Sequence, residues 1–132
     1  MNNDTNNKRP QEIEDFWRLP EIVSMEVVHV RHRTPAKVYV GPKWVESNET
    51  VEFLVRTSED FPIRALSPAL FIGNHAVTEG NRVANNFYRF IVPATEIPKL
   101  QQDATISVGW AGVDAKPVAT QHRFRIHREE SR

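Results

Sequence analysis

Histidine is the residue whose spacing first suggests chemistry in this chain. His29 and His32 form an H-x-x-H pair, and His122 and His127 stand near the other end. A structural metal needs about four such donors converging on one point. Along a β-strand successive side chains alternate faces, so positions three or five apart point to opposite sides and neither pair converges. A cross-strand site joining His29 to His127 is all that geometry allows, and solvated surface histidine is the better reading. No metal and no cofactor are expected. Cysteine is absent, which removes disulfides, thiolate ligands and cysteine nucleophiles together. Ser67 and Ser107 have no nucleophile-elbow setting, and the five glycines contain no phosphate-cradling loop. Glu59 and Asp60 form an adjacent carboxylate pair that turn preference and solvation explain. No catalytic residue is assigned, and no enzyme is expected.

Binding chemistry has more to work with. If the first strand changes phase near Val28, its outward positions become His29, Arg31 and Arg33, while the last strand places Arg123, Arg125 and His127 outward. As neighbours in one sheet, these two strands would gather arginines on one face, and opposed like charges there cost stability unless an anion lies between them. Nucleic acid or a sulfated glycan is the ligand such a face would take. The ordinary alternative is that exposed strand arginines blunt an edge and pair with carboxylates such as Glu46, Glu49 and Glu52. Trp44 follows Gly41-Pro42-Lys43 beside a turn and lies near Tyr39. Core or rim packing is the ordinary expectation for such a tryptophan, whereas an exposed Trp44 with Tyr39 would suit carbohydrate stacking.

These residues ride on a ladder of short runs rich in Val, Ile, Phe and Tyr between Ile22 and His127, with turn residues between them. Val23, Met25 and Val27 alternate, after which the apolar phase continues at Val28 and Val30. A one-residue slip is what a β-bulge produces. Further strands are expected over 36–40, 50–57, 63–72, near Val77, over 86–92, 104–110 and 118–127, with Ser67-Pro68 demoting part of 63–72 to an edge or a connection. Residues 95–102 read as one helical turn, with Thr95 as its cap and Ile97 and Leu100 inward. The expected core is Val28, Val30, Val51, Phe53, Val55, Tyr88, Phe90, Val92, Ile106, Val108, Trp110, Phe124 and Ile126. A bulged first strand resembles that of immunoglobulin-like sandwiches, where it passes from one sheet to the other. The fold class is therefore all-β, an immunoglobulin-like antiparallel β-sandwich of about seven or eight strands.

At 132 residues the chain is expected to form one domain over 10–128, with one core. Residues 1–9 and 129–132 are polar and read as disordered tails. Pro10 starts a short helix over 10–19, in which Ile13, Phe16 and Trp17 share one face and dock on this domain or on a partner. Seventeen basic against seventeen acidic residues give no global field toward nucleic acid or anionic membrane. Nothing approaches a secretory leader or a membrane span, so with Met1 as native start the expected location is cytoplasmic. The expected function is a non-enzymatic binding or assembly module contacting another protein or another domain of a parent chain. An anionic polymer or a carbohydrate is the alternative ligand.

Overall fold

A computed structural model describes residues 19–62, 67–112 and 117–126. The expected tails at 1–9 and 129–132, residues 10–18 of the helix expected over 10–19, with Ile13, Phe16 and Trp17, and His127 lie outside the described residues. The fold is all-β, and the described residues form eight strands in two antiparallel four-stranded sheets. They are β1 (Ile22–Val40), β2 (Lys43–Thr57), β3 (Pro68–Ile72), β4 (His75–Val77), β5 (Gly80–Ala84), β6 (Phe87–Pro93), β7 (Thr105–Trp110) and β8 (Val118–Arg123). One sheet runs β1-β2-β6-β5 and the other β4-β3-β7-β8. Consecutive pairs therefore alternate between the two sheets.

Period-two alternation places the core. Val51, Phe53 and Val55 of β2 lie beside Val92, Phe90 and Tyr88 of β6, and this inner face meets Leu70, Ile72, Ile106, Val108 and Trp110 of the other sheet in one buried cluster. Each fully buried Phe or Leu of this kind contributes roughly 1.5–3 kcal/mol through apolar burial. Phe53 reaches Phe124 with ring centroids 5.9 Å apart, and Phe61 stands edge-on to both Tyr88, at 4.9 Å, and Trp110, at 6.0 Å. Gly80 is required by contact, since a Cβ there would come within 2.5 Å of the Phe90 ring.

The first strand departs from expectation. Its register with β2 is continuous from Ser24 to Arg31, and the irregularities fall at Ile22/Ser24 and Arg31/Ala36. Met25 and Val27, opposite Val55 and Phe53, therefore stay on the core face and pack against the cluster. Val28 and Val30 stand opposite Glu52 and Thr50 on the other face and are removed from the core. The Val27-Val28 doublet satisfies either phase, so hydrophobicity alone misplaces the bulge. Residues 36–40 continue β1 instead of forming a new strand, and β1 stays in one sheet throughout. Hence β1 and β2 form a long ribbon that turns at Gly41-Pro42, a cis peptide.

Smaller differences concern backbone chemistry. Residues 63–66 of the run expected over 63–72 lie outside the described residues, and Pro68 opens β3, a central strand between β4 and β7. A proline in the first position leaves the rest of the ladder intact. Gly80–Ala84, where no strand is expected, forms β5, which pairs with β6. The helical turn is a 3-10 helix over Ala94–Lys99 whose N-cap is Pro93 without a side-chain cap, so Thr95 does not cap it. Leu100 is buried and Ile97 packs on the core, as their spacing suggested.

Candidate recognition site at the ribbon tip

The β1–β2 register sets Tyr39 directly opposite Trp44, two rungs' reach from the turn. Their rings meet edge to face, with centroids 5.2 Å apart and planes at 63°. Trp44 is 61% exposed, where core or rim packing was the ordinary expectation. β6 pairs with β2 only over Thr50–Arg56, so Trp44 lies where β2 is bordered by β1 alone.

Beneath the tip is a cleft of about 290 Å³, lined by Tyr39 of β1, His75 and Val77 of β4, Ile91 and Val92 of β6, and Glu96 of the 3-10 helix. The Gly73-Asn74 turn, with Gly73 at φ 60°, returns the chain so that His75 stands opposite Ile72 and on the cleft wall. Glu96 is buried at 9% exposure in the first turn of its helix. Its Oε1 is 3.8 Å from His75 Nε2 and 3.5 Å from Lys99 Nζ. Neither His75 nor Glu96 is marked by local spacing, because 3-10 helix and β4 are brought together only by the fold. A glutamate amid Ile97 and Leu100, both directed inward, was the available hint.

A second polar cluster ties the loop before β3 to the β5–β6 hairpin. Asp60 accepts hydrogen bonds from the Asn86 N–H at 2.8 Å, from Arg82 at 3.2 Å and from the Tyr88 hydroxyl at 3.3 Å. The Tyr88 oxygen in turn accepts the Phe61 N–H at 2.9 Å. The Arg82 bond, with the Asn86 amide behind it, holds the Asp60 carboxyl below the ordinary carboxylate range, and burial pushes the Tyr88 phenol up. With both carboxylate oxygens engaged, this cluster fastens the loop to the β5–β6 hairpin.

The arginines do not assemble. β1 and β8 sit at the edges of different sheets, so Arg31 and Arg33 share no sheet face with Arg123 and Arg125. Arg31 lies 3.7 Å from Glu49, which also takes His29 at 3.0 Å. Arg125 pairs with Asp103 at 2.9 Å, and Arg123 donates to the Asp103 carbonyl at 3.0 Å. Arg33 is exposed. The outward phase assumed for Arg31 rested on the bulge near Val28, which the register excludes.

Among the described residues, no three His, Asp or Glu side chains cluster to hold a metal ion, and no helix is long and apolar enough to cross a membrane. His32 Nε2 lies 2.8 Å from Thr50 Oγ1, an imidazole–hydroxyl pair of the kind nucleophilic catalysis uses. Thr50 is fully buried, so the contact satisfies a hydroxyl that solvent and substrate do not reach. No protein-family model, curated protein or solved structure matches the chain.

Proposed function

We propose that this chain is a non-catalytic binding module on an immunoglobulin-like antiparallel β-sandwich, which contacts a partner protein, or another domain of a longer chain, through the tip of its β1–β2 ribbon. The strand orders β1-β2-β6-β5 and β4-β3-β7-β8 support the architecture. They follow the A-B-E-D arrangement of that fold and its C-F-G sheet with one further strand beside C.

The observation that carries the functional reading is the exposure of Trp44, which meets Tyr39 edge to face near the turn of the β1–β2 ribbon. Tryptophan is enriched among the residues that dominate protein interfaces, because a large ring buries much area while few rotamers are lost. Carbohydrate stacking fits less well. Rings inclined at 63° present no shared flat platform to a sugar. His29 pairs with Glu49 and Asp60 with Arg82, so these charged groups are engaged within the fold.

The test compares the protein with Trp44→Ala in forming a complex with material from the native source, after matching melting curves show both are folded. The reading expects one discrete complex with the parent and its loss in the variant. A complex that forms equally well with Trp44→Ala overturns it.

A further inference from the structure

The cleft under the ribbon tip holds a largely buried carboxylate whose described ion pairs are both long. Glu96 is nine-tenths buried, and a carboxylate withdrawn from water needs donors or a cation to offset its lost hydration. Its two described ionic neighbours, His75 at 3.8 Å and Lys99 at 3.5 Å, are both beyond the usual hydrogen-bond range of about 2.7–3.2 Å. Lys99 reaches in from outside, with its side chain 64% exposed, and it does not line the cleft. A lysine that reaches a carboxylate from solvent at i,i+3 and 3.5 Å is held weakly. Lys99 thus occupies a cation position from which a better-fitting cation can displace it.

The remaining walls define that cation. Tyr39 supplies an aromatic surface, and Val77 and Val92, nearly fully buried, supply apolar lining; a charge pair beside apolar walls is stronger than one in open water. At about 290 Å³ the cleft falls at the lower end of the roughly 300–1,000 Å³ typical of small-molecule and cofactor sites. It suits one side chain. We infer that it receives a single arginine side chain of the partner protein, with the guanidinium forked onto the Glu96 carboxylate and lying against the Tyr39 ring. Arginine fits better than lysine because its planar fork matches a carboxylate and stacks on an aromatic face. This inference rests on the proposed protein-binding role of the ribbon tip and gives it a chemical preference.

The probe is N-acetyl-arginine-N-methylamide, titrated into the isotope-labelled full chain and followed by amide-resolved NMR. Saturable shifts are expected at Tyr39, His75, Val77, Thr78 and Glu96, the residues around the cleft. Glu96→Gln should weaken binding by roughly tenfold or more, as loss of a charge-assisted bond predicts. Lys99→Gln should tighten it by severalfold, because the internal competitor is gone. Lys99 is exposed, so this second variant stands even if Glu96→Gln does not fold. Trp44→Ala should leave probe binding intact, since Trp44 does not line the cleft, which separates failure here from failure of the ribbon-tip reading. The inference is overturned if the arginine probe gives no saturable shifts, if Lys99→Gln weakens binding, or if a folded Glu96→Gln binds as the parent does. It is equally overturned if methyl glucoside, and not the arginine probe, shifts these residues, which would make the cleft a hydroxyl site.

Discussion

Tyr39 and Trp44 are cross-strand partners with ring centroids 5.2 Å apart, on the second rung from the turn of the β1–β2 ribbon. Because Trp44 is 61% exposed, its removal forfeits little burial. Trp44→Ala should change stability by less than about 1 kcal/mol, the scale of one exposed aromatic pair. Chemical denaturation would check this. A much larger loss would identify Trp44 as a structural residue.

Gly80 and Phe90 should be coupled. Phe90→Ala should cost about 3–5 kcal/mol, as deletion of a buried ring does. Gly80→Ala alone places a Cβ 2.5 Å from that ring and should cost about 1–3 kcal/mol. In the Phe90→Ala background the clash disappears, so the same glycine substitution should cost markedly less. A double-mutant cycle with no coupling energy would contradict this packing.

Asp60 gives the acid limb of stability its sign. A carboxyl whose folded-state pKa lies below its unfolded value stabilises the fold above the unfolded pKa, and that contribution is lost as pH falls through the folded value. Asp60→Asn should therefore lower stability at neutral pH and make the curve flatter on acidification. Tyr88 acts at the other end. Its folded pKa is raised, so its contribution is complete below the unfolded phenol value and is lost as pH rises through the folded one. Urea midpoints across pH for the parent, Asp60→Asn and Tyr88→Phe would show whether these limbs move separately.

What the sequence makes legible here follows from distance along the chain. Alternation at Val51, Phe53 and Val55, or at Ile106, Val108 and Trp110, is local, and each run gives both the strand and its buried face. The Val27-Val28 doublet fits either phase, and only pairing with Phe53 decides which valine faces the core. β5 carries Asn81 and Arg82 beside Gly80, a run with little strand signal, and it forms because β6 offers an edge. Candidate-site residues behaved in the same way. Trp44 and Tyr39 were visible as aromatics beside a turn, whereas the approach of His75 to Glu96 requires two sheet connections to close. The arginine face failed for that reason too, since each alternation was local and the adjacency of β1 and β8 was not.

The most direct measurement of the ribbon-tip claim is site-specific photocrosslinking. A photoreactive phenylalanine at position 44 is compared with the same residue at position 118 or 83, where Val118 and Val83 are also large, apolar and exposed, at 55% and 50%. Recognition through the tip predicts a covalent adduct to the partner from position 44 and none from the other two. Adducts from position 118 or 83 without one from position 44 would place the contact elsewhere and contradict the claim.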